Sequence, residues 1–334
     1  MKEWQTFVET QATAMKTSNF ICDAGELGLI LVTGEDAESF LQNQFSNDIG
    51  HIDESRFQLS SYSTPKGRLL AIFQIVQISN GYLLITPLSL VESLLQRLQM
   101  FVIQAKVNLA NATDHFARIV LQTDNNNVTQ HPLLAQQAGQ VLQGETVISL
   151  QFNGINNENR YLVLCLAFDE AKSLWEEFSQ DLAVASFDAW RLSEIRAGIP
   201  VIYPQTSEEF VLQMSNLDLL DGVSFKKGCY PGQEIVARMH YLGKLKRRMF
   251  LTTLETDQCP APGDEISAKG AESADGSGKV VDAVSDNDGL CHCLYVAQIK
   301  KATNNELRLL NQPQVELTPA ELPYANTDAE AASG

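Results

Sequence analysis

Residues 223–248 read VSFKKGCYPGQEIVARMHYLGKLKRR and set one cysteine, Cys229, between a Lys-Lys-Gly turn and a Pro-Gly turn. A thiolate, not a thiol, is the nucleophile and the soft-metal ligand, and cations or a helix N-terminus favour it. Both aids are near. Lys226 and Lys227 precede the cysteine, and Pro231 is expected as the first helical residue, leaving Cys229 at the positive end of GQEIVARMHYL. Gly228 and Gly232 let the backbone turn tightly on each side. Glu234 and Arg238 stand four apart in the order that favours a helical ion pair, worth ~0.3–0.5 kcal/mol, so they orient the helix rather than do chemistry. The residues alone leave two readings open: a reactive thiol, or a small buried hydrophobe on an ordinary loop.

The setting is unusual for this chain. Its 334 residues carry a formal net charge of −17, yet Lys226, Lys227, Arg238, Lys244, Lys246, Arg247 and Arg248 face Glu234 alone within residues 226–248. An acidic chain argues against broad non-specific nucleic-acid binding, and a local reversal is a candidate anion site or a solvated basic helix end. The six cysteines form no CxxC pair, and the chain is too long for a small disulfide scaffold. No signal peptide is expected in MKEWQTFVETQATAMK, and no apolar run is long enough to span a bilayer. A reducing cytoplasm and no membrane partner are the expectation.

The elements that must position these residues follow from periodicity. Phe20–Cys22 and Leu29–Val32 read as strands around DAGELG, a hairpin-like turn. EDAESFLQNQF, LSLVESLLQRLQMF and DEAKSLWEEF space their apolar residues for helices. LLAIFQIVQI and YLLIT flank Ser79-Asn80-Gly81, a hairpin signal, and ETVISLQF with RYLVLCLAF brackets another. SFDAWRLSEIRAGIP predicts a helix capped by Ser186 and ended at Gly198. After residue 245 the short strands RRMFLTTL, GKVVDAV and LCHCLYVAQI, without a convincing helix, predict a small β domain. Hairpins alternating with helices make the fold class α+β, mostly antiparallel.

KKGCYPGQE resembles the K-G-C-Y-x-G-Q-E signature of the YgfZ family, carried here by Lys227, Gly228, Cys229, Tyr230, Gly232, Gln233 and Glu234. LVTGEDAESFLQNQFSNDI, PKGRLLA, AWRLSEIRAGIPVI, NLDLLDGVSFKKGCYPGQEIVAR and the late LPY extend the resemblance over most of the chain. That family is similar to the glycine-cleavage T-protein. The resemblance implies a three-lobed ring around a central folate cavity, with residues 1–240 as a two-lobed folate-binding region. A C-terminal β-barrel over 241–323 and a disordered tail over 324–334 would complete it. It implies tetrahydrofolate or a derivative as ligand, with Trp190 against the ring and Leu27 as an apolar contact, while Lys66, Arg68 and Arg196 could meet the folate tail. It further implies support of iron–sulfur assembly or repair in client enzymes, tRNA-thiolating ones among them. tRNA would then be reached indirectly, and a link to regulation of replication initiation is carried with it. One cysteine cannot complete a four-ligand cluster, so a transient cluster on Cys229 would be shared with a partner or a small thiol.

Two departures weigh against aminomethyl transfer. PKGRLLA has Leu69, Leu70 and Ala71 where T-proteins carry acidic residues, and Arg196 stands where the family commonly has Glu, so the acid–base agent is missing. A folate-dependent one-carbon transferase and a direct tRNA-binding module over Lys226–Arg248 are the competing functions. The latter lacks an aromatic-rich platform in the sequence reading. In Cys291-His292-Cys293 strand alternation would point His292 away from both cysteines, and His240 lies too far along the helix to act as the thiol's base.

Overall fold

A computed structural model describes residues 2–11, 18–155 and 157–324. Two compact units result, one from residues 1–60 and 73–190, the other from residues 61–72 and 191–334.

In the first unit, strands Phe20–Asp23, Ala117–Thr123, Asn159–Cys165, Val147–Phe152 and Val141–Gln143 lie side by side, with Ala183–Val184 on the other edge of Phe20–Asp23. The nearly continuous apolar runs of these strands mean burial on both faces. Cys22, Val120, Leu150, Leu162 and Leu164 enter one apolar cluster. Their neighbours Ile21, Ile119, Leu121, Val147, Tyr161 and Val163 enter another on the opposite face, with Trp4 and Trp175. Helices Lys2–Glu9 and Phe168–Phe178 cover this second face through edge-to-face contact of Trp4 with Trp175 at 5.5 Å.

The expected turn at DAGELG is not a hairpin. Phe20–Asp23 belongs to the six-stranded sheet and Leu27–Thr33 to a five-stranded one, so the segment carries the chain from sheet to sheet. Alternation marks a strand but not its partner. Leu27–Thr33 pairs instead with Gly81–Pro87 and Asn108–Asn111. The two other expected hairpins are present: Ile78 opposite Gly81 across Ser79-Asn80, and Arg160 opposite Phe152.

The second unit holds an antiparallel sheet in the order Arg247–Glu255, Leu290–Gln298, Gly278–Ser285, Glu265–Ala268, Leu307–Leu309, Glu316–Leu317. After the last strand, the Ala320 N–H donates to the Leu251 carbonyl at 2.7 Å, so the chain returns to the first strand and nearly closes a barrel. Cys291, Cys293, Tyr295 and Ala297 all point into its core. The expectation of no helix here is corrected by a short one, Ile299–Thr303.

The described chain ends at Tyr324, the first residue of the expected tail. Its hydroxyl donates to the Gly198 carbonyl at 2.9 Å and accepts from Asn216 at 3.2 Å, so this residue is held in place. Residues 325–334 of that tail lie outside the described residues.

Candidate functional site

Cys229 is exposed, on an irregular segment of the second unit. Cys22, Cys165 and Cys293 are buried, and burial first, with nearby carboxylates second, pushes each of their thiols up, Cys165 to about 12. The loop reading as a reactive thiol therefore has the access that a packed hydrophobe would lack.

The helix after Cys229 starts later than the sequence implied. It spans Gln233–Tyr241, and Gly232 caps it in the left-handed conformation at φ 86°. Pro231 sits in the preceding turn, so Cys229 lies four residues before the first helical turn instead of on its end. An αL residue at the cap reverses the chain where Pro231 alone would have continued it.

Glycine at 232 is also a packing requirement. A β-carbon there would stand 2.7 Å from the Gly67 Cα and 2.8 Å from the Thr64 carbonyl oxygen. Gly67 in turn leaves 3.1 Å between its own β-carbon position and Ile235. The Thr64–Arg68 turn, closed by bonds from Gly67 N–H to Thr64 and from Thr64 N–H to Arg68, thus seats the start of the helix. PKGR and GCYPGQE, well over a hundred residues apart in sequence, become one surface that carries exposed Lys66 and Arg68. Arg68 donates to the Glu209 carbonyl at 2.8 Å, which fixes its side chain. Gly228 has no such constraint: a β-carbon there meets nothing within 4 Å, so its expected role in a tight turn is not required.

The cations divide into used and free surfaces. Lys227 is buried with its ammonium 5.4 Å from the Tyr230 ring, and burial pushes the Tyr230 hydroxyl up to about 12. The Gln233 amide donates to the Lys227 carbonyl at 3.4 Å, bridging the cysteine loop. Arg248 grips Asp218 through Nη2–Oδ2 at 2.9 Å, and Arg247 donates to the Gly276 carbonyl. Glu234 and Arg238 make the expected pair at 3.9 Å, both exposed. Lys226, Lys244 and Lys246 remain on the surface.

A further set was invisible in sequence. Phe225 stacks on His240 with ring centres 3.8 Å apart and planes 16° from parallel, and Tyr241 meets the His240 ring edge-on at 4.7 Å. The basic stretch thus brings three rings into contact, a grouping that the sequence did not suggest. Phe225 and His240 are fifteen positions apart, so no local spacing signals them.

Of the expected folate contacts, Leu27 and Trp190 lie in the first unit and Lys66, Arg68 and Arg196 in the second. Trp190 is 4% exposed inside the apolar cluster that Leu27 packs against. Its ring has Phe152 edge-on at 5.5 Å and the Arg160 guanidinium 4.7 Å from its centre. Burial lowers that guanidinium to about 9 despite Glu158. As it stands, the indole is a core side chain and offers no open face to a flat ligand. Arg196 is engaged as well: it pairs with Asp286 at 3.3 Å and lies 3.1 Å from His292 Nε2. His292, also 2.8 Å from Asp286, thus faces outward from the buried Cys291 and Cys293, as strand alternation requires. Cys291 is bonded to Cys259, a disulfide that the sequence reading does not anticipate.

Among the described residues, no group of three or more His, Cys, Asp or Glu side chains is placed to hold a metal ion. None of the described helices is long and apolar enough to cross a membrane.

Residues 1–125 match the family model of the GCVT N-terminal domain. The chain is similar to the glycine cleavage system aminomethyltransferase T of Bartonella henselae, with a TM-score of 0.73 at 13% identity over 93% of this chain and 87% of that one. This likeness establishes the aminomethyltransferase T fold. Among curated relatives, the tRNA-modifying protein YgfZ of Colwellia psychrerythraea is 28% identical over 326 residues, 96% of this chain and 97% of its own length. The Escherichia coli protein of the same name is 30% identical over 271 residues, 78% of this chain and 80% of the relative. At that identity over four-fifths of a curated member, the chain belongs to the YgfZ family.

Proposed function

We propose that the chain is a folate-binding accessory protein that supports iron–sulfur cluster assembly or repair, and through it tRNA modification, with Cys229 as the working thiol. The observation that carries the reading is the exposure of Cys229 on a loop seated by the Gly232–Gly67 contact, while the three other free cysteines are buried. Relatives named tRNA-modifying proteins support the tRNA end of the reading. The aminomethyltransferase T fold supports the folate end.

A thiolate suits iron–sulfur chemistry, and one thiolate implies a cluster shared with a client or a small thiol. The cluster is cargo here. Lys226, Lys66 and Arg68 supply positive charge on the same unit, Gln233 bonds the start of the helix to the loop, and Glu234–Arg238 pair along the helix itself. On the folate side, Leu27 and Trp190 share one apolar cluster, and a pterin reaching the indole must displace the Arg160 guanidinium. Aminomethyl transfer lacks its acid–base agent, because Leu69, Leu70 and Ala71 can neither take nor give a proton.

The test compares wild type with Cys229→Ser and Trp190→Ala for tetrahydrofolate binding and for activity of an iron–sulfur client that thiolates tRNA. Separable losses are expected, client support for the first variant and folate affinity for the second. A Trp190→Ala protein that binds folate as wild type does removes the indole from the reading.

A further inference from the structure

The Phe225–His240–Tyr241 group is an unusual surface for an acidic chain. The Phe225 and His240 rings are near parallel at 3.8 Å, Tyr241 stands at 82° to His240, and Tyr241 and Leu242 are 65% and 85% exposed. These rings and Leu242 leave apolar surface in water where most of the chain buries it. Around it the chain places Lys226 beside Phe225, Arg238 on the same helix, and Lys244 and Lys246 just beyond it, all exposed. Glu234 is the sole carboxylate in residues 223–248, and it is already paired with Arg238.

We propose that Phe225, His240 and Tyr241 form a stacking platform for unpaired nucleobases of single-stranded RNA, with Lys226, Arg238, Lys244 and Lys246 on its phosphates. The chemistry selects this partner. An apolar protein face would have to strip water from Lys226, Lys244 and Lys246 without compensation, whereas a nucleic acid offers flat π faces and anionic groups together. Bases in a duplex are stacked on one another and present no free face, so loops and single strands fit. The inference goes beyond the reading above, in which tRNA is reached indirectly. Its test leaves Cys229 untouched, so either can fail alone.

The probe is a fluorescein-labelled single-stranded RNA of about twelve nucleotides, within the site-size range of such surfaces. An abasic oligomer and a duplex of equal length serve as comparisons, and binding to the full chain is read by anisotropy. The RNA is expected to bind more tightly than either. Tyr241→Ala and His240→Ala, both at exposed positions, should each weaken RNA by about 5- to 150-fold and leave the abasic oligomer unchanged. Lys244→Gln with Lys246→Gln should weaken both probes. Four phosphate contacts predict a roughly 50-fold loss of affinity between about 50 and 200 mM salt. Equal binding of the abasic oligomer overturns the proposal, as does absence of binding or insensitivity to both aromatic variants. Binding of labelled polyglutamate of matched charge as tightly as the RNA, with the same loss in Tyr241→Ala, would assign the surface to an acidic protein and overturn it equally.

Discussion

Gly232 and Gly67 meet backbone to backbone: a β-carbon on Gly232 would lie 2.7 Å from the Gly67 Cα. This contact holds the cysteine loop against the Thr64–Arg68 turn, and it depends on two residues having no side chain.

Gly232→Ala should therefore destabilise the second unit. A left-handed L-residue costs about 1–2 kcal/mol, and the backbone crowding adds to it. Gly228→Ala, with open space around it, should stay within about 0.5 kcal/mol of wild type. Urea unfolding of the two variants measures the contrast. Equal effects would show that the loop is not seated by this contact.

Thiol alkylation of the native protein should modify Cys229 rapidly and leave Cys22, Cys165 and Cys293 unmodified until the chain unfolds. Burial both shuts the reagent out from the other three and keeps them as neutral thiols at physiological pH. Peptide mapping by mass spectrometry gives the site. Early labelling of any of the three others would contradict the burial that singles out Cys229.

Asp275 supplies a pH signature. Burial opposes its ionisation, but donation from Ser277, Lys301 and the Ala268 N–H outweighs this and brings the carboxyl down to about 2, against an ordinary 3.8. A depressed carboxyl contributes stability that is complete above the ordinary value and is lost as pH falls through the folded one. Asp275→Asn should lower the melting temperature by a few degrees at neutral pH, for a surface network worth about 1 kcal/mol. The gap to wild type should close as pH falls from about 4 to about 2. A gap that persists unchanged at the lower pH would mean the charge is not its source.

Tyr324→Phe removes the hydroxyl that joins the end of the described chain to Gly198 and Asn216. The loss should be about 1 kcal/mol, the ordinary net worth of such a bond with its partners left behind. Thermal melting reads it. No change would place Tyr324 outside the cooperative structure.

Local chemistry made much of the fold legible. The hairpins at Ser79-Asn80 and around NGINNEN, and the helices at 37–44, 91–99 and 168–178, rest on turn residues and on periods of two or about four, which short windows contain. Partner choice is a tertiary matter, which is why DAGELG reads as a hairpin although its flanking strands lie in different sheets. At the candidate site, the cysteine, its cations and the Glu234–Arg238 pair were readable, since neighbours in sequence are neighbours on a helix. The late helix start was not, because Gly232 takes a left-handed angle to reach Gly67. The Arg160 guanidinium over the Trp190 ring joins residues thirty positions apart, which no short window shows. The Phe225–His240 stack and the Cys259–Cys291 bond join residues too far apart for any local pattern.

Whether exposed Cys229 is the working thiol is tested most directly by the thiolated-nucleoside content of tRNA. Cells lacking the native protein are supplied with wild type or with Cys229→Ser at equal abundance, and the nucleosides are quantified by mass spectrometry. Wild type should restore thiolation, and the serine variant should leave it at the level of the unsupplemented cells. Full restoration by Cys229→Ser would show that the thiol has no part in the function.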